Sequence, residues 1–152
     1  MDKYYMYKAM LEAEKAAANN DVPVGAVIVR DEKIIGRGYN QVEKKGDSTA
    51  HAELIAIRQA IRKTGHKHLL DCTMYVTLEP CSMCAGAIVL ARIPRLVIGT
   101  SDPKTGACGS ITNIVQNEKL NHRCELTTGV LEKENAAMLK DFFKKLRASK
   151  TK

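Results

Sequence analysis

The sequence lacks the long apolar stretches that mark a membrane protein and the N-terminal layout that marks a secreted one. No apolar run in its 152 residues reaches the roughly 18 residues that a membrane-spanning helix needs. The segment Met1–Tyr5 is not a charged region followed by an apolar one, as a signal peptide would be. We therefore expect a cytoplasmic protein that does not associate with membranes.

Low-complexity linkers and repeats of a fixed period are also absent. The chain is long enough to enclose one core, and its content of 45% hydrophobic and 27% charged residues is that of an ordinary globular protein. These features predict one domain spanning residues 1–152. In a reducing cytoplasm its five cysteines are expected to be reduced, and the clustered ones indicate a metal site or a reactive thiol rather than a disulfide.

Basic residues outnumber acidic ones and give the chain a formal net charge of +7. The excess is greatest in residues 137–152, which hold six basic residues and a single acid, Asp141. A basic segment of this kind indicates a polyanionic partner such as RNA. The other interpretation is a solvated helix end, because lysines in a last turn also suit the helix dipole.

The pattern of apolar residues predicts strands that alternate with helices. We predict helices over residues 3–19, 50–63, 81–92, 111–116 and 131–147. We predict strands over residues 24–29, 33–39, 73–78, 96–99 and 124–128. The first two strands form a hairpin in this interpretation, so the sheet should be mixed. The expected fold class is α/β, with three layers, α/β/α, around a mixed sheet of about five strands.

Two short motifs carry residues suited to chemistry at a metal ion. Cys81 and Cys84 form a C-x-x-C pattern at a predicted helix start, where both sulfurs can face one ion and the positive helix end favours thiolates. His51, in the motif His-Ala-Glu, would be a third ligand; His66 and His68 could also serve, although they lie in a polar loop. Three protein ligands and an open position are typical of catalytic zinc, and the sequence has no second C-x-x-C to close the site.

Glu53 is the candidate for moving protons at this site. Zinc with two thiolates and a neutral imidazole has no net charge, so water bound to it would lose a proton near neutral pH. Residues two apart on a regular helix point to different sides. His51 and Glu53 can therefore serve one site only at the first turn of a helix, where the caps in residues 47–49 are expected to place them.

The two motifs together, with Pro80 before Cys81, resemble the H-x-E and P-C-x-x-C signature of the zinc nucleobase deaminases. Further stretches, covering nearly the whole chain, are similar to the bacterial tRNA-specific adenosine deaminases: residues 22–27, 38–40, 49–53, 75–86, 102–109 and 121–123. The resemblance implies a cytidine deaminase-like fold, a homodimer and one Zn²⁺ per subunit. It also implies that the protein converts the wobble adenosine of a tRNA anticodon to inosine.

The same resemblance assigns roles to individual residues. It implies that His51, Cys81 and Cys84 bind zinc, while Glu53 passes protons from the activated water to N1 of adenine. It puts four further residues at the substrate: Asn40 at the flipped nucleotide, Ala52 at the edge of the base, and Asp102 and Lys104 beside the anticodon. The implied partner is the anticodon stem-loop of tRNA, whose phosphates the basic C-terminal helix would contact.

Other interpretations remain open. One is a zinc deaminase of a free base or nucleoside, such as guanine, adenosine or cytosine. Another is a non-enzymatic RNA-binding module with a structural zinc, which requires a fourth ligand.

At the level of residues, Asn40 could be only a strand-end cap, Asp102 could be a turn residue, and His122 is expected to be structural. We expect Phe142 and Phe143 in the core. Small and apolar residues of the 81–92 helix could form the dimer interface: Ala85, Ala87, Ile88 and Ala91.

Overall fold

The computed structural model describes residues 1–150, in which the chain forms five helices and five strands. The helices are α1 (Asp2–Ala18), α2 (Val42–Lys45), α3 (Ala52–Thr64), α4 (Ser82–Leu90) and α5 (Glu132–Lys150). The strands are β1 (Gly25–Arg30), β2 (Lys33–Tyr39), β3 (Thr73–Leu78), β4 (Arg95–Thr100) and β5 (Glu125–Thr127). All the predicted strands are confirmed, as are the predicted helices that correspond to α1, α3, α4 and α5. Within the described residues, every helix is too short or too polar to cross a lipid bilayer.

The strands form one mixed sheet in the order β2-β1-β3-β4-β5. Both β2 and β3 pair antiparallel with β1, whereas β3, β4 and β5 run parallel to one another. Helix α4 connects β3 to β4, because parallel neighbours need a crossover. The mixed, five-stranded sheet agrees with the prediction from the sequence.

Helices cover both faces of the sheet and give the three predicted layers. Because side chains alternate along a strand, Ala26 and Ile28 of β1 pack with α3 and α4. Val27 and Val29 point the other way and pack in the cluster that contains α1. The same alternation continues through β3 and β4. Strands buried on both faces give nearly unbroken apolar runs in a sequence, which is why they could be recognised.

Two glycines of β2 bring α3 into direct backbone contact with the sheet. A Cβ atom at Gly38 would overlap the carbonyl oxygen of Ala52, and one at Gly36 would overlap that of Ala56. Glycine within a strand often marks such a close approach of another backbone. The contact fixes the first turn of α3 against the end of β2.

The predicted helix over residues 111–116 is wrong. The N–H of Ile111 donates to the carbonyl of Gly106 at 2.9 Å, and the segment forms turns instead of a helix. The side chain of Asn113 accepts a hydrogen bond from the N–H of Gln116 at 3.1 Å. Asparagine often competes with helical hydrogen bonds in this way, so apolar spacing alone gave a misleading signal.

The prediction that Phe142 and Phe143 lie in the core is also wrong. Among the described residues of α5, Asn135 is the one that is buried. Phe143 is 40% exposed. The start of α5 packs on β4, where Asn135 lies against Gly99, and further along the helix Phe142 lines a groove that α5 shares with α1. Lys152, which belongs to the predicted basic segment, lies outside the described residues.

The suggested dimer surface on α4 is largely buried within the chain itself. Ala85 and Ile88 are fully buried, and Ala91 is 4% exposed. All three pack into the core cluster with α3 and the sheet, because this face of α4 is the one that covers the strands. Leu90, by contrast, is 78% exposed.

Side chains anchor the segment before β5 to the loop before β4. The Nε2 atom of His122 lies 2.7 Å from the carbonyl oxygen of Ile93. The thiol of Cys124 donates to the same carbonyl at 3.1 Å. His122 therefore has the structural role that the sequence analysis expects.

Replacing Gly38 by alanine should displace α3 from β2, because the new methyl group has no space beside the Ala52 carbonyl. We expect the free energy of unfolding to fall by at least about 2 kcal/mol, measured by urea denaturation. Gly86→Ala is the matched control, since a Cβ atom there meets nothing within 4 Å and alanine is favoured in helices. Equal stability of the two variants would contradict the close contact.

Candidate active site

The two motifs meet because two helices begin at the same edge of the sheet. Strand β3 ends at Leu78, and the chain passes through Glu79 and Pro80 before α4 begins. Helix α3 begins beside this point, where the glycines of β2 hold it against the sheet. As a result, the residues that precede the two helices are brought into contact.

His51 and Cys81 are the N-cap residues of α3 and α4, with extended ψ angles of 149° and 177°. The predicted helices over residues 50–63 and 81–92 therefore begin slightly too early. The correction matters, because an N-cap residue does not follow the helical rotation. His51 can consequently face the same site as Glu53, although residues two apart within a helix could not.

The imidazole and the two sulfurs form a compact cluster. Nδ1 of His51 lies 3.6 Å from Sγ of Cys81 and 3.5 Å from Sγ of Cys84. Ligands at usual zinc distances on a tetrahedron would have a nitrogen–sulfur separation of about 3.6 Å. All three ligand atoms lie within 4.8 Å of one another, and within residues 1–150 this is the one such group found. The cluster could hold a metal ion with three protein ligands.

The two cysteines influence each other strongly. The hydrogen bond with Cys84, and then that with His51, lowers the pKa of Cys81 to about 4. The pKa of Cys84 is raised, first by its hydrogen bond to Cys81 and then by burial. The hydrogen bond with Cys81 in turn raises the pKa of His51. The cluster thus carries a thiolate that would attract a cation.

Glu53 lies in the first turn of α3 and is buried, with 3% of its surface exposed. Burial raises the pKa of its carboxyl group to about 7, with opposing contributions that include the charge of His51. A group with such a pKa can both accept and donate a proton near neutral pH. Its position beside the cluster is suited to acid–base chemistry.

These groups border a cavity of about 170 Å³ at the edge of the sheet. Its walls come from the segment before β1, the end of β2, the start of α3, the end of β3 and the loop after β4. The lining residues are Val22, Val24, Asn40, His51, Ala52, Glu53, Leu78, Glu79, Cys81, Asp102 and Thr105. The lining thus combines apolar side chains with titratable groups.

Asn40 and Ala52, two of the predicted substrate contacts, both line this cavity. The side chain of Asn40 is fixed by the backbone: Nδ2 donates to the carbonyl of Val22 and Oδ1 accepts from the N–H of Val42, both at 3.1 Å. Asn40 therefore caps the end of the strand, and its side chain also forms part of the cavity wall.

Asp102 also lines the cavity, whereas Lys104 is exposed and is not among the lining residues. The carboxylate of Asp102 accepts hydrogen bonds from the N–H of Lys104 at 3.0 Å and from Oγ1 of Thr105 at 2.7 Å. Asp102 therefore has the turn role that the sequence allowed. Thr105, which the sequence analysis did not select, contributes to the wall.

Glu79 is the main residue that sequence reasoning missed. It is 5% exposed, and its carboxylate accepts hydrogen bonds from the loop of residues 101–110. Burial by itself raises the pKa of Glu79, but hydrogen bonds from Ser110 and from backbone N–H groups outweigh it, and the pKa lies below its usual value. The sequence did offer one sign of its importance: Glu79 is an acidic residue that lies between a buried strand and the C-x-x-C motif.

Comparisons with known proteins agree with this geometry. Residues 1–147 match the family model of the MafB19-like deaminases. The tRNA-specific adenosine deaminase of Bacillus subtilis (strain 168) is 46% identical over 149 residues, which cover 98% of this chain and 92% of that protein. The Haemophilus influenzae protein of the same name is 49% identical over 150 residues, covering 98% of this chain and 87% of the relative.

A solved structure from studies of A-to-I editing by tRNA:A34 deaminases is also similar. It superimposes with a TM-score of 0.85 at 41% sequence identity. The match covers 90% of this chain and 99% of that chain. The similarity therefore extends across the sheet and the helices that surround the cavity.

Replacing Cys84 by serine should abolish metal binding, because a neutral hydroxyl group replaces one of two sulfur ligands. Elemental analysis of the purified wild-type protein should find about one divalent ion per chain, and of the variant less than about a tenth of that. Cys124→Ser is the matched control, since serine can keep the hydrogen bond to the Ile93 carbonyl. Full metal content in Cys84→Ser would show that the ion binds elsewhere.

Proposed function

Since the chain belongs to the MafB19-like deaminase family and shares its cytidine deaminase-like fold with tRNA deaminases, we propose that it converts the wobble adenosine of a tRNA anticodon to inosine. The observation that carries the proposal is the meeting of His51, Cys81, Cys84 and Glu53 at one cavity. It occurs in a chain 46% identical to a tRNA-specific adenosine deaminase over nearly its whole length. The reaction adds water at C6 of adenine and releases ammonia.

Zinc is the metal that we assign to the cluster, with one ion per subunit. One imidazole nitrogen and two thiolates are ligands that zinc prefers, and their separations suit a tetrahedral ion. His51, Cys81 and Cys84 would hold it and leave one position open. When bound, zinc activates a water molecule as a nucleophile at neutral pH.

Glu53 is the group that moves protons in this proposal. Its buried carboxylate takes a proton from the attacking water and delivers it to N1 of the adenine ring. It then takes a second proton from the new hydroxyl group on C6 and gives it to the departing amine, so that ammonia leaves as a neutral molecule and the C6 carbonyl of inosine forms. Burial keeps this carboxylate away from bulk water, and its pKa of about 7 suits both transfers.

The shape of the cavity favours a single unstacked base. Val22, Val24 and Leu78 supply apolar contacts, and Asn40 and Ala52 supply polar atoms for the nucleotide and the edge of its base. The N–H of Ala52 belongs to the first turn of α3, whose donors have no partner within the helix. A base inside a duplex could not reach the cavity, whereas a base of an anticodon loop can be flipped out.

The basic C-terminal helix is suited to hold the phosphates of the anticodon stem. The end of α5 shares a groove with α1, lined by Lys145 and Asn20 among others. Asn20 precedes Val22 of the cavity wall by two residues, so the basic helix end lies on the same side as the cavity. Lys104, exposed at the tip of the loop after β4, would contact the anticodon from the other side.

Two competing functions are less well supported. A non-enzymatic module with a structural zinc requires a closed site, and the described residues 1–150 offer three grouped ligands rather than the four such a site needs. A deaminase of a free base or nucleoside would use the same cluster and would have no use for a basic helix. The assay below distinguishes this function from the proposed one.

We extend the proposal to the assembly and its location. The chain forms one deaminase domain, because helices from both ends of the sequence pack on the same sheet. A homodimer is implied by the resemblance, and exposed Leu90 and Ile111 are candidate contacts; sedimentation measures the assembly directly. A cytoplasmic location suits a tRNA substrate and keeps the two cysteine ligands reduced.

Replacing Glu53 by glutamine should abolish inosine formation, because the amide has the same size but cannot carry protons. We expect the rate on unmodified tRNA transcripts to fall at least about 1,000-fold, while one zinc per chain remains bound. Sequencing of the treated tRNA locates inosine at the first anticodon position. If the zinc-loaded wild-type protein makes no inosine but releases ammonia from guanine, adenosine or cytidine, the free-base function replaces the proposed one.

Neutralising Lys140, Lys144 and Arg147 on α5 should weaken tRNA binding and reduce its salt dependence. The slope of log Kd against log salt should fall by about 0.7–0.9 for each phosphate that α5 no longer neutralises. The matched control neutralises three exposed lysines at the opposite end of the sheet: Lys33, Lys63 and Lys67. The same slope in both triple variants would contradict a role of α5 in binding phosphates.

A further inference from the structure

The loop of residues 101–110 runs beside the segment that leads to the metal cluster. The N–H of Glu79 donates to the carbonyl of Thr100 at 2.9 Å, and the N–H of Ala107 donates to that of Pro80 at 2.8 Å. The first bond extends the pairing of β3 with β4 by one residue, and the second joins the loop itself to Pro80. The loop is thus attached to the residues directly before Cys81.

The carboxylate of Glu79 makes the attachment much stronger. Oε1 accepts from the N–H of Asp102 at 3.0 Å and from Oγ of Ser110 at 2.5 Å. Oε2 accepts from the N–H groups of Cys108 at 2.9 Å and Ser110 at 3.1 Å. All four donors belong to the loop, and hydrogen bonds to a charged acceptor are the strong ones.

The loop closes tightly around this carboxylate. A Cβ atom at Gly106 would overlap the carboxyl group of Glu79, so any other residue there would displace the carboxyl group from its present position. The side chain of Glu79 is enclosed as a result, with 5% of the residue exposed. A buried carboxylate surrounded by one loop fixes the position of that loop.

The far side of the loop forms a wall of the cavity. Asp102 and Thr105 line the cavity, and the hydrogen bond between their side chains makes this turn a rigid unit. Glu79 therefore links this wall of the cavity to Cys81, the residue of the metal cluster two positions further along the chain. Glu79 itself need not react.

We propose that Glu79 is a positioning residue, which holds the 101–110 wall against the metal-binding segment and thereby sets the affinity for the RNA around the target base. The inference rests on the proposed function, because it names the RNA as the molecule that the wall receives. It predicts an effect on KM rather than on the chemical step.

The test compares Glu79→Gln with Glu12→Gln in zinc-loaded protein. Glutamine at position 79 would direct an amide N–H₂ at donors, leaving at least one backbone N–H without an acceptor. Glu12 is the matched control, because it is equally buried at 5% exposed but lies in α1 and pairs with Lys15. The substrate is an anticodon stem-loop whose wild-type conversion has been measured.

For Glu79→Gln we expect KM to rise about tenfold, with kcat changed by less than about threefold and zinc content unchanged. Hydrogen exchange should become faster in residues 101–110 and stay the same in α3 and α4. Glu12→Gln should change neither KM nor exchange in the loop. Ser110→Ala, which removes one donor and leaves the carboxylate, should give a smaller rise in KM with the same local exchange.

Two results would overturn the inference. An unchanged KM and unchanged loop exchange would show that Glu79 does not position the wall. Loss of zinc with a large fall in kcat would show that Glu79 supports the metal ligands instead. If Glu79→Gln does not fold, the same measurements of KM and loop exchange on Ser110→Ala test the inference. A wild-type protein that is inactive on RNA overturns the proposed function, and loop exchange still decides whether Glu79 fixes the wall.

Discussion

The active-site cavity depends on the backbone contact between α3 and β2, because that contact determines where the helix begins. Gly36 and Gly38 leave no side chain between strand and helix, and α3 therefore lies close to the sheet. His51, at its start, comes within 3.6 Å of Cys81. Cys81 in turn follows β3, which lies two strands away from β2 in the sheet. Ligands from distant parts of the sequence are thus positioned by rigid elements, as precise sites require.

In the proposed mechanism, the same helix start supplies two different chemical roles within three residues. His51 precedes the helix and points to the metal cluster, while Glu53 lies inside the first turn and is buried beside it. If His51 is the ligand and Glu53 the proton carrier, as we propose, both can serve one substrate without competing for the ion. The wall opposite is held by Glu79, so a buried acid contributes on each side of the cavity. Glu53 is suited to proton transfer, whereas Glu79 is suited to holding the wall in position.

Most of the sheet could be predicted because its strands are buried on both faces and its helices have regular apolar spacing. The metal cluster could be predicted because its ligands lie in two short motifs. The hydrogen bonds of Glu79 could not be predicted from the sequence, because the groups that donate to its carboxylate lie 23 to 31 residues further along the chain. Apolar spacing also predicted a helix at 111–116, where the side chain of Asn113 instead accepts the N–H of Gln116 and competes with helical hydrogen bonds. For Phe143, spacing within one helix did not show that the side chain would be exposed.

Both ligand-bearing helix starts lack a conventional cap. Among residues 1–150, neither His51 nor Cys81 gives its helix a side-chain hydrogen bond, whereas serine or aspartate at an N-cap contributes about 0.5–2 kcal/mol. Stability and activity therefore make opposite demands on positions 51 and 81. Directed evolution for heat resistance alone would favour serine or aspartate there and would yield a more robust fold without its metal site.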